Sequence, residues 1–188
     1  DQARVVHLLQ DGDSGWRMYY QYLPDRGPFN RESIWKLHHA EQPAYIVPPI
    51  ANFTDGPSGL AYYPGTGFGP KFKDTFFICD FRGGAANSGV RTFHLEPKGA
   101  TYQFGANDNP IWTVLATDIA FGPDGSLYVS DWVNGWDGLG KGRIYRFRDP
   151  VFSNSDLVKD VQSRLALNWD EVEEANLEES LSHQDRRI

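Results

Sequence analysis

Two stretches of this chain run through the same order of residue types about 50 residues apart, and this repeat restricts the fold more than any other feature. The first reads Gly56-Pro-Ser-Gly-Leu-Ala-Tyr-Tyr63, then Thr75-Phe-Phe-Ile-Cys-Asp80, then Gly89-Val-Arg-Thr-Phe-His-Leu95. The second reads Thr117-Asp-Ile-Ala-Phe121, then Ser126-Leu-Tyr-Val-Ser-Asp131, then Gly142-Arg-Ile-Tyr-Arg-Phe147. In each, a short strand ends in aromatics, a turn follows, and a second apolar strand ends in Asp. A loop then leads to Gly and an alternating strand. Strands of four to six residues at this period are the pattern of β-propeller blades, and a sandwich with similar strand spacing is the structural alternative. Gly122-Pro-Asp-Gly125 predicts a tight hairpin. The reading places Leu60, Phe77, Ile119 and Val129 in the core, with Leu127 facing inward.

All 19 Gly and 12 Pro lie at or before Pro150. Residues 151–188 contain neither, so the turn-rich, mainly β part gives way to a short α-helical C-terminal segment. Leu157, Val158, Val161 and Leu165 share one face of a helix predicted over 156–167. A second helix is expected over 169–182, opened by an Asn168–Glu171 capping pair. The expected fold is a partial β-propeller, two blades plus part of a third over residues 1–150, with helices over 151–188. Two to three blades do not close a ring, so the remaining blades of the same polypeptide or a partner chain would complete it.

A net charge of −7 argues against a nucleic-acid partner. No run approaches the length of a membrane span. No basic segment followed by an apolar stretch opens the chain, so a signal peptide is not expected within it.

The segments Gly56–Tyr63, Phe77-Ile-Cys-Asp-Phe-Arg82 and Asp118-Ile-Ala-Phe-Gly-Pro-Asp-Gly-Ser-Leu-Tyr-Val129 resemble the last blades of the soluble sugar dehydrogenases that depend on pyrroloquinoline quinone (PQQ). Gly15-Trp16 resembles an earlier Gly-Trp turn of that fold. The chain is similar, closer still, to large planctomycete-type proteins in which such a six-bladed propeller precedes HEAT repeats and often a c-type haem domain. Ser182–Ile188 resembles the opening of a HEAT repeat. The resemblance implies a quinone-dependent sugar or alcohol dehydrogenase fragment, periplasmic or secreted, oxidising a carbohydrate-type substrate with PQQ and calcium. The alternative is a non-catalytic propeller scaffold that binds carbohydrate or protein partners. Thr54 and Arg82 stand where the family contacts its quinone with Thr and Lys. Leu115 and Thr117 stand where two family arginines grip it. The catalytic His and the calcium ligands of the family would lie upstream of this chain.

Among other candidates, Asp80 and Asp131 occupy matching places. Each is read either as a ligand facing a channel or as a carboxylate that orders the following loop. Arg82, in a glycine-flanked loop, suits capture of a carboxylate, or an internal salt bridge, which is also the reading for Arg91 and Arg143. Trp132 and Trp136 could stack on a sugar or quinone ring, or pack against a neighbouring blade. Gly138–Gly142 lacks the spacing of a phosphate-binding loop. The adjacent His38 and His39 lack metal-site spacing, and Cys79 reads as a small core residue.

Overall fold

The computed structural model describes residues 3–14, 37–43, 46–138 and 140–188. Gly15-Trp16 lies outside them. The described residues form three antiparallel sheets and two short α-helices, in keeping with the mainly β expectation. It divides into two compact units.

The first unit comprises Asp1–Pro57 and His94–Ala106. Strands β1 (Arg4–Val5) and β2 (Ala51–Asn52) pair antiparallel, with Val5 opposite Ala51. Ile46 is buried, and Phe53 packs on Phe104 with ring centres 4.8 Å apart.

The second unit, Ser58–Phe93 and Asn107–Ile188, contains most of both repeats. The first repeat gives β3 (Pro57–Tyr62), β4 (Thr75–Asp80), β5 (Gly89–Lys98) and β6 (Thr101–Trp112), joined in that order in one sheet. The second gives β7 (Ala116–Phe121), β8 (Leu127–Asp131) and β9 (Arg143–Phe147), also in order. The second strands of the two repeats therefore lie in different sheets, as separate repeats require. Strand β6 was not legible, because Gly105, Asn107, Asp108, Asn109 and Pro110 read as turn formers. Strand β6 forms the end of its sheet, where a proline interrupts no ladder on its free side.

The sheets share one core of Tyr63, Phe77, Cys79, Val90, Ala116, Ile119, Leu127 and Val129. Alternation dictates it: every second residue of β8 points inward, so Leu127 and Val129 are buried and Tyr128 is not. Phe121 of β7 meets Phe77 and Tyr63 edge to face, at 5.2 and 5.7 Å. Of the four core residues expected, Phe77, Ile119 and Val129 are buried and Leu60 is not, being 59% exposed. The inward face of β3 belongs to Gly59 and Ala61. A Cβ on Gly59 would come within 2.8 Å of the Asp118 backbone, so a larger residue cannot face that way.

The Gly122–Gly125 turn closes by a Gly125 N–H bond to the Gly122 carbonyl, and Gly125 takes φ +70°. The glycine meets a second one. A Cβ on Gly67, itself at φ +94°, would lie 2.1 Å from the Gly125 carbonyl oxygen.

Helix α1 (Asp156–Leu165) is capped by Ser155, whose side chain accepts the Val158 N–H. It buries Val158 and Val161, and Leu157 and Leu165 are half-buried at the margin of that face. Helix α2 (Glu174–Ser180) starts later than expected. Asn168 makes no capping bond and opens only the short 3-10 turn Trp169–Glu171. Leu181 is 90% exposed, outside any core.

Residues 183–188 hook back onto the sheets of this unit. The Arg186 N–H donates to the Pro64 carbonyl, and the Gln184 amide donates to the Gly65 carbonyl, both at 2.9 Å. Asp185, 1% exposed, accepts from Arg187 Nε and Nη2 and from the Thr66 hydroxyl. Arg187 Nη1 also donates to the Phe121 and Gly122 carbonyls. Burial raises the Asp185 pKa, but the Arg187 and Thr66 hydrogen bonds outweigh it and hold the carboxyl below its ordinary value. A carboxyl lowered by folding stabilises fully above its unfolded pKa of about 3.9, and that contribution is lost as pH falls through the folded value. Wild type should thus exceed Asp185→Asn by on the order of 2 kcal/mol in denaturant titrations at pH 7. The gap should close progressively below about pH 4. A gap independent of pH would show that the carboxylate charge does not fasten the hook.

Candidate functional site

The two repeats place the same pair of charges at the same rim. Asp80, fully buried at the end of β4, accepts Arg91 Nε at 2.7 Å and Arg82 Nε at 3.1 Å. Asp131, 6% exposed at the end of β8, accepts the Leu115 and Val133 backbone N–H groups at 3.1 and 2.8 Å. Its other oxygen lies 3.5 Å from Arg143 Nε. Arg91, third in β5, and Arg143, first in β9, thus turn back onto the Asp that ends the preceding strand. Asp131 orders the loop beside it through backbone N–H groups, the architectural reading, and Asp80 holds the Arg82 and Arg91 guanidiniums.

Arg82 also falls in this cluster. Asp80 fixes its guanidinium through two nitrogens, and 31% of its side chain stays exposed. The Arg82 N–H donates to Ser88 Oγ at 2.9 Å, which pins the loop.

Two loops build an aromatic group next to this rim. Phe81 follows β4, and Trp132 and Trp136 follow β8. Trp132 stacks on Phe81 at 6.1 Å, and Trp136 stands edge-on to both, 4.8 Å from Trp132 and 5.7 Å from Phe81. Gly83, between Phe81 and the Trp136 ring, takes φ +80°, a left-handed backbone that favours glycine. Trp132 is half-buried, so its packing reading holds, whereas Trp136 is 63% exposed and offers a fixed indole to solvent.

Thr54, in the other unit, has φ +65°, which a β-branched residue rarely adopts. Its hydroxyl oxygen is buried without a hydrogen-bond partner among the described residues. Leu115 is fully buried, and the Thr117 hydroxyl lies 2.9 Å from Ser130 Oγ. The charges present do not fit a tricarboxylated quinone. Of the three positions where the resemblance implies cations, Arg82 alone carries one, and it already serves Asp80.

The remaining candidates carry no comparable geometry. Burial, then the nearby Asp118 charge, pushes the Cys79 thiol up to about 12, so it stays protonated and inert. His38 and His39 are exposed, and among the described residues no three His, Cys, Asp or Glu side chains group as a metal site. Among the described residues no helix is long and apolar enough to cross a membrane.

No family model matches the chain, and no curated protein matches it. Among solved structures it is similar to a candidate oxidoreductase (glucose dehydrogenase) from Thermus thermophilus, at 19% identity and a TM-score of 0.41. The match covers 57% of this chain and 30% of that one, so the chain spans under a third of that protein's length.

Proposed function

We propose that the chain supplies blades of a sugar dehydrogenase-like β-propeller, and that its rim binds a carbohydrate-type ligand without carrying redox chemistry of its own. The observation that carries this reading is the Trp136 indole, braced by Phe81 and Trp132 yet 63% exposed. A rigid aromatic face suits the apolar C–H face of a pyranose ring, because little conformational freedom is lost on stacking. The guanidinium of Arg82, held by Asp80, follows Phe81 directly, and its exposed part would donate to a sugar hydroxyl. Isothermal titration with glucose, cellobiose and a uronic acid tests the reading. Saturable binding is expected for at least one of them, with a loss of about tenfold or more in Trp136→Ala. Binding unchanged in that variant, or none by wild type near saturating sugar, would remove the rim site.

A second reading keeps the quinone, with Thr54 and Arg82 as its contacts and carbohydrate as the oxidised substrate. It is favoured by the buried Thr54 hydroxyl that has no partner among the described residues. The same calorimeter separates the readings. Binding of PQQ with calcium that is lost in Thr54→Val supports the second, and no binding leaves the first. HEAT repeats, a haem domain and a periplasmic setting belong to this proposal through the resemblance alone.

A further inference from the structure

The hook and the end of β3 flank a half-open cavity of about 780 Å³ that neither repeat explains. Its size is that of a small-molecule site. Tyr62, Phe68, Pro70 and Phe152 supply apolar walls. Tyr62 is braced edge-on by Phe76 at 4.7 Å. The opposite wall is fixed as well, because the hook is bonded to the Pro64 and Gly65 carbonyls and anchored by buried Asp185.

Two cations line the cavity, Lys73 and Arg186, against one carboxylate, Asp74. The carboxylate is already engaged: the Tyr62 hydroxyl donates to Asp74 at 2.9 Å. Neither cation pairs with a carboxylate among the described residues. The Arg186 guanidinium lies over the Tyr62 ring at 4.5 Å, which orients it flat against the aromatic wall. The lining thus combines aromatic surface with an excess of one positive charge.

We infer that this cavity binds a small aromatic carboxylate, its ring among Tyr62, Phe68 and Phe152 and its carboxylate between Arg186 and Lys73. The chemistry follows from complementarity. A planar carboxylate matches the two-donor fork of arginine, and a ring fills the aromatic walls. A neutral ligand of the same shape would leave the charge excess unanswered. The inference does not rest on the rim site, which shares none of these residues.

Titration of the chain by heteronuclear NMR, with phenylacetate and its neutral analogue phenylacetamide as probes, tests it. Phenylacetate is expected to bind saturably, with a Kd at or below about 1 mM, and to shift the Gly65, Phe68 and Gln184 amides. Phenylacetamide should bind about tenfold more weakly. Arg186→Gln keeps the backbone N–H that fastens the hook and should lose about tenfold in affinity. Lys73→Gln, remote from the hook's anchor bonds, should lose several-fold and decides the matter if Arg186→Gln unfolds. Equal binding of the two probes, wild-type affinity in the folded variants, or no saturable phenylacetate binding would overturn the inference.

Discussion

Gly67→Ala is expected to be among the most damaging substitutions in this chain. Two costs add at that position. A left-handed backbone is unfavourable for any residue with a Cβ, by about 1–3 kcal/mol. The new methyl would also collide with the Gly125 backbone, 2.1 Å from its carbonyl oxygen, and forcing such a contact apart costs about 1–3 kcal/mol more. Neither side can yield cheaply. Gly125 closes the hairpin before β8 and lies against Val158 of α1, so a shift there disturbs the sheet and the helix together. Gly99→Ala provides the control. Gly99 has φ +60° but open space around its Cβ position, so it carries the conformational cost alone. In urea titrations Gly67→Ala should lose markedly more stability than Gly99→Ala. Equal losses would mean the two glycine turns do not touch in solution.

Leu127→Ala should cost about 2–5 kcal/mol, the range for a buried leucine whose cavity the surroundings cannot refill. Leu127 is 2% exposed and stands in register between Phe121 of β7 and Phe147 of β9, so its loss opens a void between two aromatic strands. Ile144→Ala, on a residue 72% exposed in the neighbouring strand, should stay within about 0.5 kcal/mol. A Leu127→Ala loss under about 1 kcal/mol in the same titration would put Leu127 on the other face of β8.

The sheets were legible because each strand carries its own instruction. In β8, apolar and smaller or polar residues alternate between a tight turn and a terminal Asp, and that pattern alone selects face and ends. Leu60 misled because hydrophobicity does not say which face has room. The approach of Gly59 to Asp118 decides it, and that distance is tertiary. Helix α2 started late because the Asn168–Glu171 pattern opens a single 3-10 turn, an outcome the pattern does not distinguish from a longer helix. At the rim, Asp80, Asp131, Arg82 and the tryptophans stood out as charged or aromatic residues in glycine-rich loops. The cavity beneath the hook gave no sequence signal. Tyr62 and Arg186 lie more than a hundred residues apart and meet only through the path of the chain.

The fastening of the C-terminal hook has an evolutionary consequence. Four of its bonds end on main-chain carbonyls, those of Pro64, Gly65, Phe121 and Gly122, and every amino acid supplies a carbonyl. The links themselves ask for no particular side chain there, but packing does: Gly65 takes φ +116° with the Gln184 backbone where a Cβ would stand, and Phe121 packs on Phe77. A demand for particular polar residues falls on Thr66, Asp185 and Arg187, whose side chains bond one another. Across descendants of this sequence, that trio should change together or not at all, and the glycines on either side of Thr66 should stay with it.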